Sequence, residues 1–155
     1  MRFKALMLAV ALAAASTPAL AADPDETAVL DSVQRFFDAI ARADPAAMQA
    51  VVLPGGQLAA VGLTADGATT FSRFAVEDSL GRLIKPGRNE RMWAHQVMRR
   101  GPLATVTGPY EFLIDGVTSH CGVEVFTLIK QDGVWRIASL TWTKEPEACS
   151  ELGAR

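Results

Sequence analysis

The chain is poor in residues that hold metals. Its two cysteines and two histidines stand at positions 95, 120, 121 and 149 of 155, without the close paired spacing of a zinc site, so no metal is expected. Basic residues are not concentrated either. The 15 Lys and Arg are scattered among 17 Asp and Glu, in short pairs such as Arg99-Arg100, which excludes the basic face that nucleic-acid binding needs. Beyond residue 21 no apolar run reaches the ~20 residues that cross a bilayer, so no membrane span is expected in the mature chain.

The amino terminus differs from the rest. Arg2 and Lys4 precede an apolar run from Ala5 to Ala15, Ser16-Thr17-Pro18 breaks it, and Ala19-Leu20-Ala21 supplies the small-x-small pattern cleaved by signal peptidase. Residues 1–21 therefore read as a secretory signal peptide, and the protein as periplasmic or secreted. The mature part, 22–155, has 155 − 21 = 134 residues, enough for one domain with a real core. Without Arg2 and Lys4 its net charge is 13 − 17 = −4.

Helix signals come first. Asp23 is placed to cap a helix that has Pro24 at its first position and Glu26 three residues after the cap, and Val29, Val33, Phe36, Phe37 and Ile40 form one apolar stripe. Asp44 and Pro45 start a second helix, Ala46 to Val52, which Leu53-Pro54-Gly55-Gly56 ends. Gln57 to Leu63 and Ala68 to Phe74 flank the turn Thr64-Ala65-Asp66-Gly67 as a small hairpin, and Val76 to Ile84 reads as a third helix. Four extended segments follow: Asn89 to Arg100, Leu103 to Ile114, Thr118 to Lys130 and Val134 to Thr143. Asp115-Gly116 and Asp132-Gly133 are hairpin turns, so these segments read as an antiparallel meander. The class is α+β, with helices on one face of a strongly twisted sheet.

Those turns set an expected register. Tyr110, Phe112, Cys121, Val123 and Val125 share one face, while Glu111, His120, Glu124, Phe126 and Leu128 share the other. Across the second bend Glu124 meets Thr141, Phe126 meets Ser139, Leu128 meets Ile137 and Val125 meets Leu140. Both faces are largely apolar. A homodimer through the outer sheet face would cover the second one; the polar C-terminal segment Glu145 to Arg155 is the other candidate cover.

The two N-terminal helices, ERMW at 90–93, LATVTGPYEFLIDG at 103–116, SHCGVEVFTLIK at 119–130 and GVWRIASLTWT at 133–143 together resemble the nuclear-transport-factor-2-like (NTF2-like) superfamily. The similarity is to its small bacterial branch labelled SnoaL-like or lumazine-binding, and it covers nearly all of the mature chain. The resemblance implies a cone: a strongly curved antiparallel sheet wrapped on N-terminal helices, often dimeric through its outer surface. It does not imply one reaction, because the superfamily holds isomerases, dehydratases and polyketide cyclases beside members without known chemistry.

Two function classes follow. One is a module that binds a small apolar or aromatic molecule in the cone. The other is a cofactor-free enzyme of the SnoaL or ketosteroid-isomerase kind, an isomerase, dehydratase or hydrolase, using Glu124 and His120. Neither needs a cofactor. Glu124 is a carboxylate in an apolar strand; it is either a poised acid or base, or one half of a structural pair with an Arg or Lys. His120 lies on its face but four residues away, ~13 Å along a strand. Thr141 and Phe126 are the neighbours expected around Glu124. Trp93 and His95, on a face with Arg91 and Arg99, offer a pocket wall and a donor, or plain core. Trp135 and Trp142 read as core.

Cys121 adjoins His120 in SHCGV, yet neighbouring strand residues point to opposite faces, which disfavours a thiol–imidazole pair. In an exported protein an even pair of cysteines points to a bridge. Cys121 lies opposite Lys144 in the expected register, so Cys149 can fold back to it. The bridge would close about 28 residues and contribute ~3 kcal/mol by constraining the unfolded chain.

Overall fold

The computed structural model describes residues 23–64 and 66–154. The expected signal peptide lies outside the described residues. Helix α1 (Pro24–Ala41) starts as its sequence signals require, with the Asp23 side chain accepting from the Asp25 amide at 2.9 Å and Pro24 in the first turn. Its stripe of Val29, Val33, Phe36, Phe37 and Ile40 is buried. Helix α2 (Pro45–Val51) is capped by Asp44, which accepts from the Ala47 amide at 3.0 Å. The chain then enters strand β1 (Val52–Leu63) directly, so Leu53-Pro54-Gly55-Gly56, expected as a stop, is the irregular start of a strand. Strand β2 (Thr69–Ala75) completes the hairpin and leads into α3 (Val76–Leu83).

The remaining strands are β3 (Arg88–Met92), β4 (Gln96–Arg100), β5 (Leu103–Ile114), β6 (Val117–Gln131) and β7 (Val134–Thr143). They form one sheet in the order β2-β1-β7-β6-β5-β3, with β4 also paired to β5. It is curved and unclosed, and α1 packs against β3 and β7 on its concave side. Two expectations need correction. The segment 89–100 is two strands, because Ala94 adopts φ 45 and breaks the ladder at Trp93-Ala94-His95. The sheet is also mixed instead of wholly antiparallel: β1 runs parallel to β7, since no hairpin links these distant segments and fixes their direction.

A third correction concerns register. One residue is extra in each hairpin: Ser119 is skipped between the pairs Leu113–Thr118 and Phe112–His120, and Ala138 between Leu128–Ile137 and Thr127–Ser139. Such bulges slip the pairing by one and turn the side chains beyond them over. Tyr110 and Phe112 therefore share the concave face with His120, Glu124, Phe126 and Leu128, not with Cys121. Glu124 pairs with Trp142 instead of Thr141, Phe126 with Leu140 instead of Ser139, and Val125 with Thr141 instead of Leu140. Leu128 pairs with Ile137 as expected, because that pair precedes the bulge.

The core lies between α1 and the concave face. Phe126 meets Phe36 and Phe37 edge-on, with centroids 5.5 and 5.8 Å apart. At the start of α1, Asp25 accepts from Lys130 Nζ at 2.5 Å and from Trp135 Nε1 at 3.4 Å, and midway along the helix the Ser32 hydroxyl donates to the Trp135 carbonyl at 3.0 Å. On the outer side Cys121 and Cys149 form a disulfide with Cα atoms 5.1 Å apart. Cys121 stands opposite Glu145, one residue beyond the expected Lys144 and in keeping with the Ala138 bulge. The tail ends against Trp93, whose indole donates to the Leu152 carbonyl at 3.0 Å.

Candidate functional site

The concave face becomes polar one step beyond the phenylalanine core. Glu124 on β6 is 1% exposed and Glu90 on β3 is 7% exposed. Their carboxyls are hydrogen-bonded to each other. Burial, and then the neighbouring Glu90 charge, push Glu124 far above the usual carboxylate range, while burial pushes Glu90 up to about 8. Two like charges in so dry a place cannot both ionise near neutrality. Among the described residues Glu124 Oε2 has no hydrogen-bond partner. The structure thus departs from the structural-pair reading of Glu124: its partner is another acid, not an Arg or Lys.

Tyr110 lies next along the face and donates to the Thr143 carbonyl at 2.8 Å. Burial first, then Glu124 and Glu90, push its phenol strongly upward. Gly122 permits this crossing, because a Cβ there would lie 2.2 Å from the Thr143 carbonyl oxygen. Gly108, which faces Glu124, is equally enforced: its Cβ would come within 2.9 Å of the Trp93 carbonyl in the β3–β4 break.

His120 is half-buried, stacked on Phe112 with centroids 5.2 Å apart and edge-on to Tyr110 at 5.9 Å. Its Nδ1 lies 3.2 Å from the Ser119 hydroxyl. Burial, with Lys144 as a second cause, lowers its pKa to about 4, so the ring is neutral at ordinary pH. The structure gives it aromatic neighbours and no bond to Glu124.

Beyond the carboxyl pair the concave face opens into a cavity of about 160 Å³ between α3 and the sheet. Leu58, Phe74, Leu83 and Trp142 wall it, and Arg82 and Arg88 stand at it. Phe74 and Trp142 meet at 6.0 Å. Ser79 also faces it, with its hydroxyl donating to the Ala75 carbonyl at 2.9 Å. Larger recesses lie beside the C-terminal tail, about 410 Å³ against Trp93 and Gly153, about 470 Å³ against Leu63 and Ala148, and about 330 Å³ against Ser72 and Pro146.

None of the six sequence candidates lines the concave cavity. Glu124 is one strand position away, paired with Trp142. Phe126 belongs to the core. Thr141 is exposed on the outer face as the partner of Val125, and His95 is exposed in the β3–β4 break. Trp93 is half-buried under the tail. Sequence reasoning missed Glu90, Arg82 and Arg88. Arg88, Glu90 and Met92 alternate along RNERM, which was the available signal, but so polar a segment reads as a solvated edge.

Comparison with solved structures shows the NTF2-like fold. An NTF2-like protein of unknown function from Shewanella baltica is 16% identical, with 79% of this chain and 95% of that chain aligned at a TM-score of 0.56. A proposed ketosteroid isomerase from Shewanella frigidimarina is 20% identical over 74% and 94% of the two chains, TM-score 0.54. A proposed dehydratase of the NTF2-like family from Streptomyces avermitilis is 17% identical over 79% and 98%, TM-score 0.59. No family model and no curated protein matches the sequence. Identities this low speak for the fold and not for an activity.

Proposed function

We propose that the protein is an exported NTF2-like module that binds a small apolar or aromatic molecule on the concave face. The observation that carries this is the cavity of about 160 Å³, with Leu58, Phe74, Leu83 and Trp142 as walls. An apolar cavity of ~150 Å³ accepts benzene, so this one suits a single ring. The disulfide supports export, because such bonds persist in oxidising compartments.

Titration of the wild type with benzyl alcohol, followed by Trp142 indole shifts in NMR, is expected to give saturable binding. Leu83→Trp fills the space and is expected to abolish binding while the thermal melt is kept. Absence of saturation in the wild type, or equal binding by the filled variant, would reject the cavity as the site.

The alternative, a cofactor-free isomerase, dehydratase or hydrolase, is favoured by one observation, the Glu90–Glu124 pair with its unpartnered oxygen. A buried carboxyl kept neutral at pH 7 can act as an acid. His120 does not join it, and Trp142 stands between Glu124 and the cavity. The proposed isomerase and dehydratase neighbours support this reading only through the shared fold.

For assembly, we propose a homodimer through the outer sheet face. The tail covers that face only around Cys121 and Trp93, leaving Val125 41%, Ile129 39% and Leu103 49% exposed. Val125→Lys is expected to shift the solution mass from dimer to monomer. A wild type already monomeric at micromolar concentration would refute the dimer.

A further inference from the structure

We propose that the ligand is an anion, a single-ring aromatic carboxylate, whose ring fills the concave cavity and whose carboxylate is held by Arg82 and Arg88. The inference rests on the cavity being the binding site, and adds the chemistry of what binds. Both arginines face the same apolar cavity. The Arg82 guanidinium lies over the Phe74 ring at 5.4 Å, and that of Arg88 over the Phe112 ring at 5.9 Å. A guanidinium stacked in this way is fixed in orientation while its N–H donors, which lie in its plane, stay available to a carboxylate. Stacking thus prepares both groups for charge-assisted hydrogen bonds without a large ordering cost on binding.

What sets them apart from the other cations without an acidic partner is the apolar cavity that both of them line. Among the described residues neither Arg82 nor Arg88 has a carboxylate within salt-bridge distance, whereas Arg42, Arg91, Arg99 and Lys130 each do. The chain carries more acid than base, 17 residues against 15, so acids are not scarce. Glu77 on α3 accepts from the Gly55 amide at 2.9 Å instead. The Glu90–Glu124 pair lies deeper, turned onto itself, and the proton that burial retains there limits its repulsion of a bound anion. Apolar walls with two unpaired cations are complementary to a ring bearing one negative group.

The test compares benzoate with benzyl alcohol, probes of like ring size and different charge, by calorimetry on the wild type, Arg82→Gln, Arg88→Gln and the cavity-filling Leu83→Trp. Benzoate is expected to bind the wild type about tenfold or more tighter than benzyl alcohol, and to weaken as salt is raised. Each Gln variant is expected to lose roughly tenfold in benzoate affinity while benzyl alcohol binding stays the same. Equal binding of the two probes, with the Gln variants indifferent, would overturn the anionic ligand and leave the cavity reading intact. Failure of both probes in the wild type would overturn the cavity reading and this inference with it. Both arginines sit at the rim, so unchanged melts of the Gln variants separate lost binding from lost fold.

Discussion

Replacing Glu124 with Gln is expected to make the protein more stable than the wild type at pH 8, and to flatten the fall of stability between pH 6.5 and 8. In the wild type both carboxyls of the pair have folded pKa values above the ordinary 4.5, Glu90 at about 8. The folded state therefore binds more protons than the unfolded chain across that interval. Stability changes with pH as the difference in protons bound, unfolded minus folded, so its slope is negative. The pair's contribution is fully present below pH 4.5 and is lost as pH rises towards 8, at up to ~1.4 kcal/mol per pH unit for each extra proton.

His120 works in the opposite sense. Its pKa is depressed from 6.5 to about 4, so the unfolded chain binds the extra proton and stability rises with pH until about 6.5. Below 6.5 the two effects oppose one another; above it the carboxyl pair acts alone, which makes 6.5 to 8 the informative window. The Gln amide donates to Glu90 at every pH, as the acid proton does only while it is retained. Urea midpoints should show Glu124→Gln ahead of the wild type by a few kcal/mol at pH 8 and close to it at pH 5. A wild-type midpoint that rises from pH 6.5 to 8, or a variant with the same slope, would show that no shared proton is buried there.

The legible parts of this chain were those coded locally. Asp23-Pro24 and Asp44-Pro45 announce helix starts through caps that need no tertiary partner, and Asp115-Gly116 and Asp132-Gly133 announce hairpins through positive φ at both residues. Glu124 stood out because a charge in an apolar strand costs free energy unless something compensates it. The neighbours of Glu124 were not legible. Turn-based register holds only to the first bulge, and Ser119 and Ala138 carry no sequence mark that distinguishes them from paired residues. Nor could periodicity join β1 to β7, since parallel pairing of distant segments depends on how the helices pack. Glu90, Arg82 and Arg88 are therefore site features that only the assembled sheet brings together.

The second large effect is expected from Cys149→Ser, which releases the tail. The bridge to Cys121 spans 28 residues, and a loop of that size is worth ~3 kcal/mol through the unfolded chain. More than chain entropy is at stake, because the tail covers the outer end of the sheet. Cys121 and Glu145 exchange backbone hydrogen bonds at 3.4 and 2.8 Å, and Trp93 donates to the Leu152 carbonyl at 3.0 Å. Freed of the bridge, these bonds must hold the tail unaided against its regained disorder. The variant is expected to melt well below the wild type and to expose Trp93 to acrylamide quenching before global unfolding, a local opening that the bridge suppresses. The concave cavity lies on the other face, so binding of benzyl alcohol should persist in the folded variant. A melt unchanged within ~0.5 kcal/mol and unaltered quenching would mean that the tail is held without the disulfide.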